Sequence, residues 1–119
     1  MGKDRFTMRL HLWLEGDGGV VFGPGRAQLL AKVQECGSLR KAAEELGMSY
    51  RAAWGKIKKT EELIGKPLLE QSGTRKDGYS LTAFGRRLLE SYTEWFRYVE
   101  KVSLEKAREL FPWDIKPFE

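Results

Sequence analysis

Arg51, Lys58 and Lys59 are the residues whose chemistry stands out, because of what lies between them. In "YRAAWGKIKK" (50–59) they share one side of a helical wheel with Ala52 and Gly55, at about 100° per residue. Three cations around two very small residues form a surface that a bulky anionic chain can approach closely. Arginine offers a planar fork matched to a guanine edge, and lysine offers a point charge suited to phosphate. A glycine inside a helix costs about 1 kcal/mol relative to alanine, so its place on this face points to an approaching partner. The competing reading is a merely solvated charged face. Acidic partners at i+4, which such a helix tends to use, are absent from its first two turns. A helix about 10–12 Å across also fits a major groove about 12 Å wide. Arg51 lies toward the N-terminal end, where recognition helices meet base edges, while Lys58 and Lys59 suit phosphates.

Other chemistries find little support. The chain has one cysteine, Cys36, and one histidine, His11. A lone cysteine excludes an internal disulfide and fits a reducing cytoplasm. Cys36 is expected as a small buried residue near a helix end and His11 on a strand face. Neither is expected to have a supporting cluster, so no metal site or nucleophilic pair is predicted. The carboxylate pairs Glu44-Glu45 and Glu61-Glu62 are adjacent on exposed helices and do not converge on a pocket, so no catalytic residues and no enzyme activity are expected. "GPG" (23–25) reads as a turn and helix start, since the lysine and threonine of a phosphate-binding loop are missing.

The elements that must position the cationic face follow from pattern. "FTMRLHLWL" (6–14) alternates apolar and polar residues, "EGDGG" (15–19) turns, and "VVF" (20–22) returns, giving a hairpin over 6–22. Leu29, Leu30 and Val33 mark a first helix over about 25–36, closing at Gly37. Ser38 is a cap for a short helix over 38–46, and Gly47 suits a left-handed turn. Ser49 caps the next helix, 49–64, with Ala53, Ile57, Thr60 and Ile64 facing inward. Two helices joined by a glycine-bearing turn make the outline of a helix-turn-helix, and Ala42 and Ala43 permit their close crossing. "PLLEQ" and "YSLT" flank a polar, basic loop, giving a wing over 67–82. Thr82 then caps a long helix, about 83–110, that places Leu88 or Leu89, Tyr92, Trp95 or Phe96, Val99 and Val102 along one side; Pro112 ends it. The fold class expected is mainly α with small β: a winged helix-turn-helix with an N-terminal β-hairpin and a long C-terminal helix.

With 119 residues, the chain is read as one domain spanning 1–119. Its formal net charge of +4 is compatible with nucleic acid without arguing for it. Placement argues more. Arg40 and Lys41 open the short helix and Arg75 and Lys76 occupy the wing tip, so cations lie at three points that one duplex can touch. No run of about 18 apolar residues is present to cross a membrane.

"GSLRKAAEELGMSYRAAWGKI" followed by "LTAFGRRLLE" resembles the N-terminal DNA-binding domain of ModE-type molybdate-dependent transcriptional regulators. "PLLEQ" and "LT.FG" are also similar to LysR-type regulators. The resemblance covers about residues 6–100 and implies a sequence-specific prokaryotic regulator. It further implies a cytoplasmic, nucleoid-associated homodimer, built through the N-terminal strand and C-terminal helix, that reads a pseudo-palindrome in double-stranded DNA. Carried onto this chain, the DNA contacts are Ser38, Arg40, Lys41, Ser49, Tyr50, Arg51, Ala52, Lys56, Lys58, Lys59, Arg75 and Lys76. Tyr50 stays open between core and phosphate. The wing loop is shorter than the family's usual one. The family's molybdate-binding domains carry a "SARN"-like signature that this sequence lacks, so neither a molybdate site nor a cofactor is expected. The alternative function is a winged-helix protein–protein interaction module partnering a separate sensor.

Overall fold

The computed structural model describes residues 5–74, 76 and 78–118. In chain order the elements are β1 (Arg5–Met8), β2 (Leu14–Gly16), β3 (Gly19–Phe22), α1 (Pro24–Cys36), α2 (Leu39–Glu45), α3 (Tyr50–Ile64), β4 (Leu69–Gln71), β5 (Tyr79–Leu81), α4 (Ala83–Leu110) and β6 (Asp114–Pro117). The helix-turn-helix, the wing and the long last helix therefore stand where local pattern predicts them.

Capping explains why these boundaries are legible. The hydroxyls of Ser38, Ser49 and Thr82 each accept the backbone N–H three residues on, closing the starts of α2, α3 and α4. α1 and α3 each end on a glycine in the left-handed region, Gly37 at φ 70° and Gly65 at φ 82°. Phe22, Leu29, Leu30, Val33, Leu39 and Ile57 form the core between the helices, closed from the wing side by Leu68 and Leu81.

The N-terminal strand departs from expectation. The alternating run 6–14 is not one strand: β1 stops at Met8, and 9–13 leaves strand geometry before β2 begins. Within that stretch the Leu12 carbonyl accepts the Tyr92 hydroxyl at 2.9 Å, tying the segment to the last helix. β2 and β3 still form the antiparallel hairpin, with a register shift between Leu14 and Glu15. His11 is exposed and lies in the intervening segment, not on a strand face.

β1 pairs instead with β6, in parallel, from Arg5 opposite Asp114 to Met8 opposite Pro117. An Arg5–Asp114 ion pair at 3.0 Å and an edge-on Phe6–Trp113 contact at 5.1 Å reinforce the pairing. Nothing was predicted after Pro112, so β6 is an addition.

α4 is one continuous helix of 28 residues, about 42 Å long at 1.5 Å per residue. Its first half lies on the core through Leu88, Leu89, Tyr92 and Phe96. Its second half runs outward and buries Leu104 near β6, where Ile115 is also buried. The molecule is accordingly elongated, 59 × 32 × 22 Å.

Candidate nucleic-acid interface

α2 and α3 are set by a short turn with few free backbone groups. Gly47 adopts φ 72°, and the Met48 N–H returns to the Ala43 carbonyl at 3.0 Å. Ala42, Ala43 and Ala53 are buried, small side chains that let the two helices cross closely. That crossing orients α3. Ala53, Ile57 and Thr60 turn inward, while Arg51, Ala52, Gly55, Lys58 and Lys59 are all exposed. Ile64 is half-buried, at the end of the inward stripe.

Gly55 distinguishes this face. A Cβ built there meets no other atom within 4 Å, so no packing inside the chain calls for glycine. Gly85 is the opposite case, because a Cβ there would overlap the Leu68 carbonyl oxygen. One glycine is required by the fold, and the other is not.

The predicted contact residues divide once they are placed. Arg40, Lys41, Ser49, Arg51, Ala52, Lys58, Lys59 and Lys76 are exposed. Ser38 is only 3% exposed, and its hydroxyl accepts the Lys41 N–H at 3.1 Å as the cap of α2. Lys56 is half-buried, and its carbonyl accepts Arg26 Nε of α1 at 3.3 Å. Burial pulls the Arg26 guanidinium below its ordinary value. Arg75 lies outside the described residues.

Lys58 has local partners. Its Nζ is 3.4 Å from Glu61 Oε1, an i,i+3 pair, and 5.0 Å from the centre of the Trp54 ring. Glu61 uses its other oxygen to accept the Leu68 N–H at 2.7 Å, tying α3 to the start of the wing. The Lys59 stem runs past the hairpin turn, its Cε 3.8 Å from where a Gly19 Cβ would sit.

Tyr50 and Trp54 belong to a row of rings. The Arg40 guanidinium lies 4.1 Å over Tyr50, Tyr50 meets Trp54 edge-on at 6.3 Å, and Trp54 meets Tyr79 of β5 edge-on at 5.3 Å. Trp54 is therefore half-buried rather than a fully enclosed anchor. Tyr79 was not singled out from the sequence. Its only signal there is an aromatic residue opening the second wing strand.

Cys36 is also corrected. It is half-buried, and its thiol donates to Glu45 Oε2 at 3.6 Å, so it does have acidic neighbours. Lys32 Nζ bridges the same group, 3.1 Å from Glu35 and 3.0 Å from Glu45. The two carboxylates thus already share one cation, the Lys32 ammonium. Burial and the Glu45 charge push the thiol pKa up, away from nucleophilic reactivity.

Comparisons with known proteins show the family and the fold. The pattern of the bacterial regulatory helix-turn-helix protein, lysR family, matches residues 25–86, which span α1 through the start of α4. The transcriptional regulator ModE of Haemophilus influenzae is 37% identical over 71 residues, 58% of this chain and 28% of that protein. The molybdenum transport protein ModE of Azotobacter vinelandii is 30% identical over 125 aligned residues, all of this chain and 45% of that protein. The chain thus spans less than half the length of either relative. Among solved structures, a CbnR_DBD–DNA complex aligns with a TM-score of 0.57 and 26% identity, covering 71% of this chain and 93% of that one. The winged helix-turn-helix fold is shared with it. By the matched pattern and the fold together, the chain belongs to the lysR family of bacterial regulatory helix-turn-helix proteins.

Proposed function

We propose that this domain binds double-stranded DNA as the recognition part of a transcriptional regulator, with α3 in the major groove. The observation that carries the reading is the exposed face of α3, where cations surround a glycine that nothing in the chain needs. Arg51 is assigned to a base edge. Lys56, Lys58, Lys59, Arg40, Lys41 and the wing residues Arg75 and Lys76 are assigned to phosphates. Ser49 and Ala52 sit at the N-terminus of α3, where the backbone closes on the DNA. Ser38 is assigned to the fold alone. The related CbnR domain was solved on DNA, which supports the assignment.

The regulator acts as a homodimer on a pseudo-palindromic operator, through α4 and the N-terminal strand. Supporting this, α4 leaves the core with Trp95, Tyr98 and Val102 exposed, and Tyr98 is 66% exposed. No helix among the described residues is long and apolar enough to cross a membrane, and a cytoplasmic, nucleoid-associated location is part of the proposal. No catalytic step, cofactor or molybdate site is assigned to this chain; its relatives are named as regulators and molybdenum proteins over lengths it does not span.

Salt dependence is the test. Binding to duplex DNA is expected to weaken by roughly 0.9 log units per phosphate contact for each tenfold rise in salt. Negligible duplex binding at low salt overturns the proposal in favour of a protein-interaction module with a separate sensor. Sedimentation of the free protein tests the dimer.

A further inference from the structure

Recognition helix and wing come from separate stretches of chain, and a winged reader must hold them at one angle to engage both at once. The wing has little with which to hold itself: β4 and β5 are three residues each. Two backbone ties reach it from the end of α1 and the start of α2, the Tyr79 N–H to the Gly37 carbonyl and a bridge between Ser38 and Gly78. Neither runs to α3. Two side-chain contacts do: Glu61 accepts the Leu68 N–H at the base of the first wing strand, and Trp54 meets Tyr79 of the second, ring centres 5.3 Å apart and planes at 86°.

The Trp54–Tyr79 contact is the middle of a longer row. Lys58 lies over the Trp54 ring, Tyr50 meets it edge-on, and Arg40 covers Tyr50. α2, α3 and β5 are joined through faces and edges of rings, an arrangement with a preferred orientation that simple apolar packing lacks. Two of the cations assigned to DNA, Arg40 and Lys58, are held against those rings.

We propose that Tyr79 is a positioning residue for DNA recognition: its ring, edge-on to Trp54, fixes the angle between the wing and the recognition helix. This rests on the DNA-binding reading above. Tyr79 touches no DNA in this scheme; it decides whether Lys76 at the tip reaches phosphate while Arg51 is seated in the groove.

The experiment measures duplex affinity against salt for the full chain and for Tyr79→Phe and Tyr79→Leu, each alone and combined with Lys76→Ala or Arg51→Ala. Tyr79→Phe keeps the ring and is expected to bind like the unaltered protein. Tyr79→Leu is expected to fold and to lose about threefold to tenfold in affinity, the worth of one aromatic pair. Its salt slope is expected to fall by about one contact. Lys76→Ala then has no further effect in the Leu background, whereas Arg51→Ala keeps its full effect. Additive losses from Tyr79→Leu and Lys76→Ala with an unchanged salt slope overturn the proposal and leave the DNA-binding reading standing. No duplex binding by the unaltered protein overturns both. If Tyr79→Leu fails to fold, Trp54→Phe changes the same contact from the other side. A smaller loss, again masking Lys76→Ala, is then expected, and additivity again overturns the proposal.

Discussion

Thr60 of α3 donates its hydroxyl to the Val21 carbonyl of β3 at 2.6 Å, with Thr60 fully buried. The bond joins the back of the recognition helix to the N-terminal hairpin across 39 residues of sequence. It explains why a polar residue occupies the inward stripe of α3 beside Ala53 and Ile57. It also makes residues before the matched family segment part of the support for α3.

Thr60→Val removes the donor at almost constant volume and leaves the part-buried Val21 carbonyl without that partner. A loss of about 1–3 kcal/mol of stability is expected. Urea unfolding measures it; a change within error would show that water or another donor reaches Val21.

Gly85→Ala and Gly55→Ala should move stability in opposite directions. A Cβ at position 85 overlaps backbone at Leu68, which cannot move aside as a flexible side chain can, so about 1–3 kcal/mol is lost. At position 55 the space is open, and alanine is expected to add up to about 1 kcal/mol through helix propensity. Thermal melts of the two variants decide this. The larger Gly55→Gln should keep or raise stability yet weaken duplex binding, a split that a purely solvated face would not produce.

The Lys32–Glu45 pair sets two pH windows. The ammonium of Lys32 holds the Glu45 carboxyl below its ordinary value of 4.5, so its contribution is full above that value and is lost as pH falls through the lower folded value. Lys32 is itself raised above 10.5, chiefly by its hydrogen bond to Glu45, so its contribution is full below that value and is lost as pH rises through the raised one. Glu45→Gln should flatten the stability–pH curve at both ends. Chemical denaturation across pH checks this, and an unaltered curve at both limbs would count against the pairing. The effect is small, because the pair is at the surface.

Arg51→Ala and Lys59→Ala are expected to differ in kind. The first should relax base preference at one position of each half-site; the second should weaken binding evenly and lower the salt slope by about one. Selection from random duplexes with each variant separates them. Identical effects on every sequence would refute the assigned roles.

Much of the helix-turn-helix was legible because its rules are local. Ser38, Ser49 and Thr82 each bond to an N–H three residues on, and Gly37 and Gly65 turn the chain where they stand. The face of α3 follows from helical periodicity once its start is known. A serine that caps a helix and a serine that meets phosphate look alike in sequence, and the burial of Ser38 is visible only in the fold.

What the sequence determined by itself is therefore the run of elements from α1 to α4, their caps and the cationic face of α3. Tertiary structure alone decided the partners. An alternating run announces a strand without naming its neighbour, and β1 finds β6, with Arg5 and Asp114 109 positions apart. Nor does any local signal bring Tyr79 to Trp54, Lys32 between Glu35 and Glu45, or the Tyr92 hydroxyl to Leu12. Hydrogen bonds within a turn or helix act over a few residues and leave a readable spacing. Contacts between elements depend on how whole helices and strands settle against one core, and no fixed spacing in the chain records that.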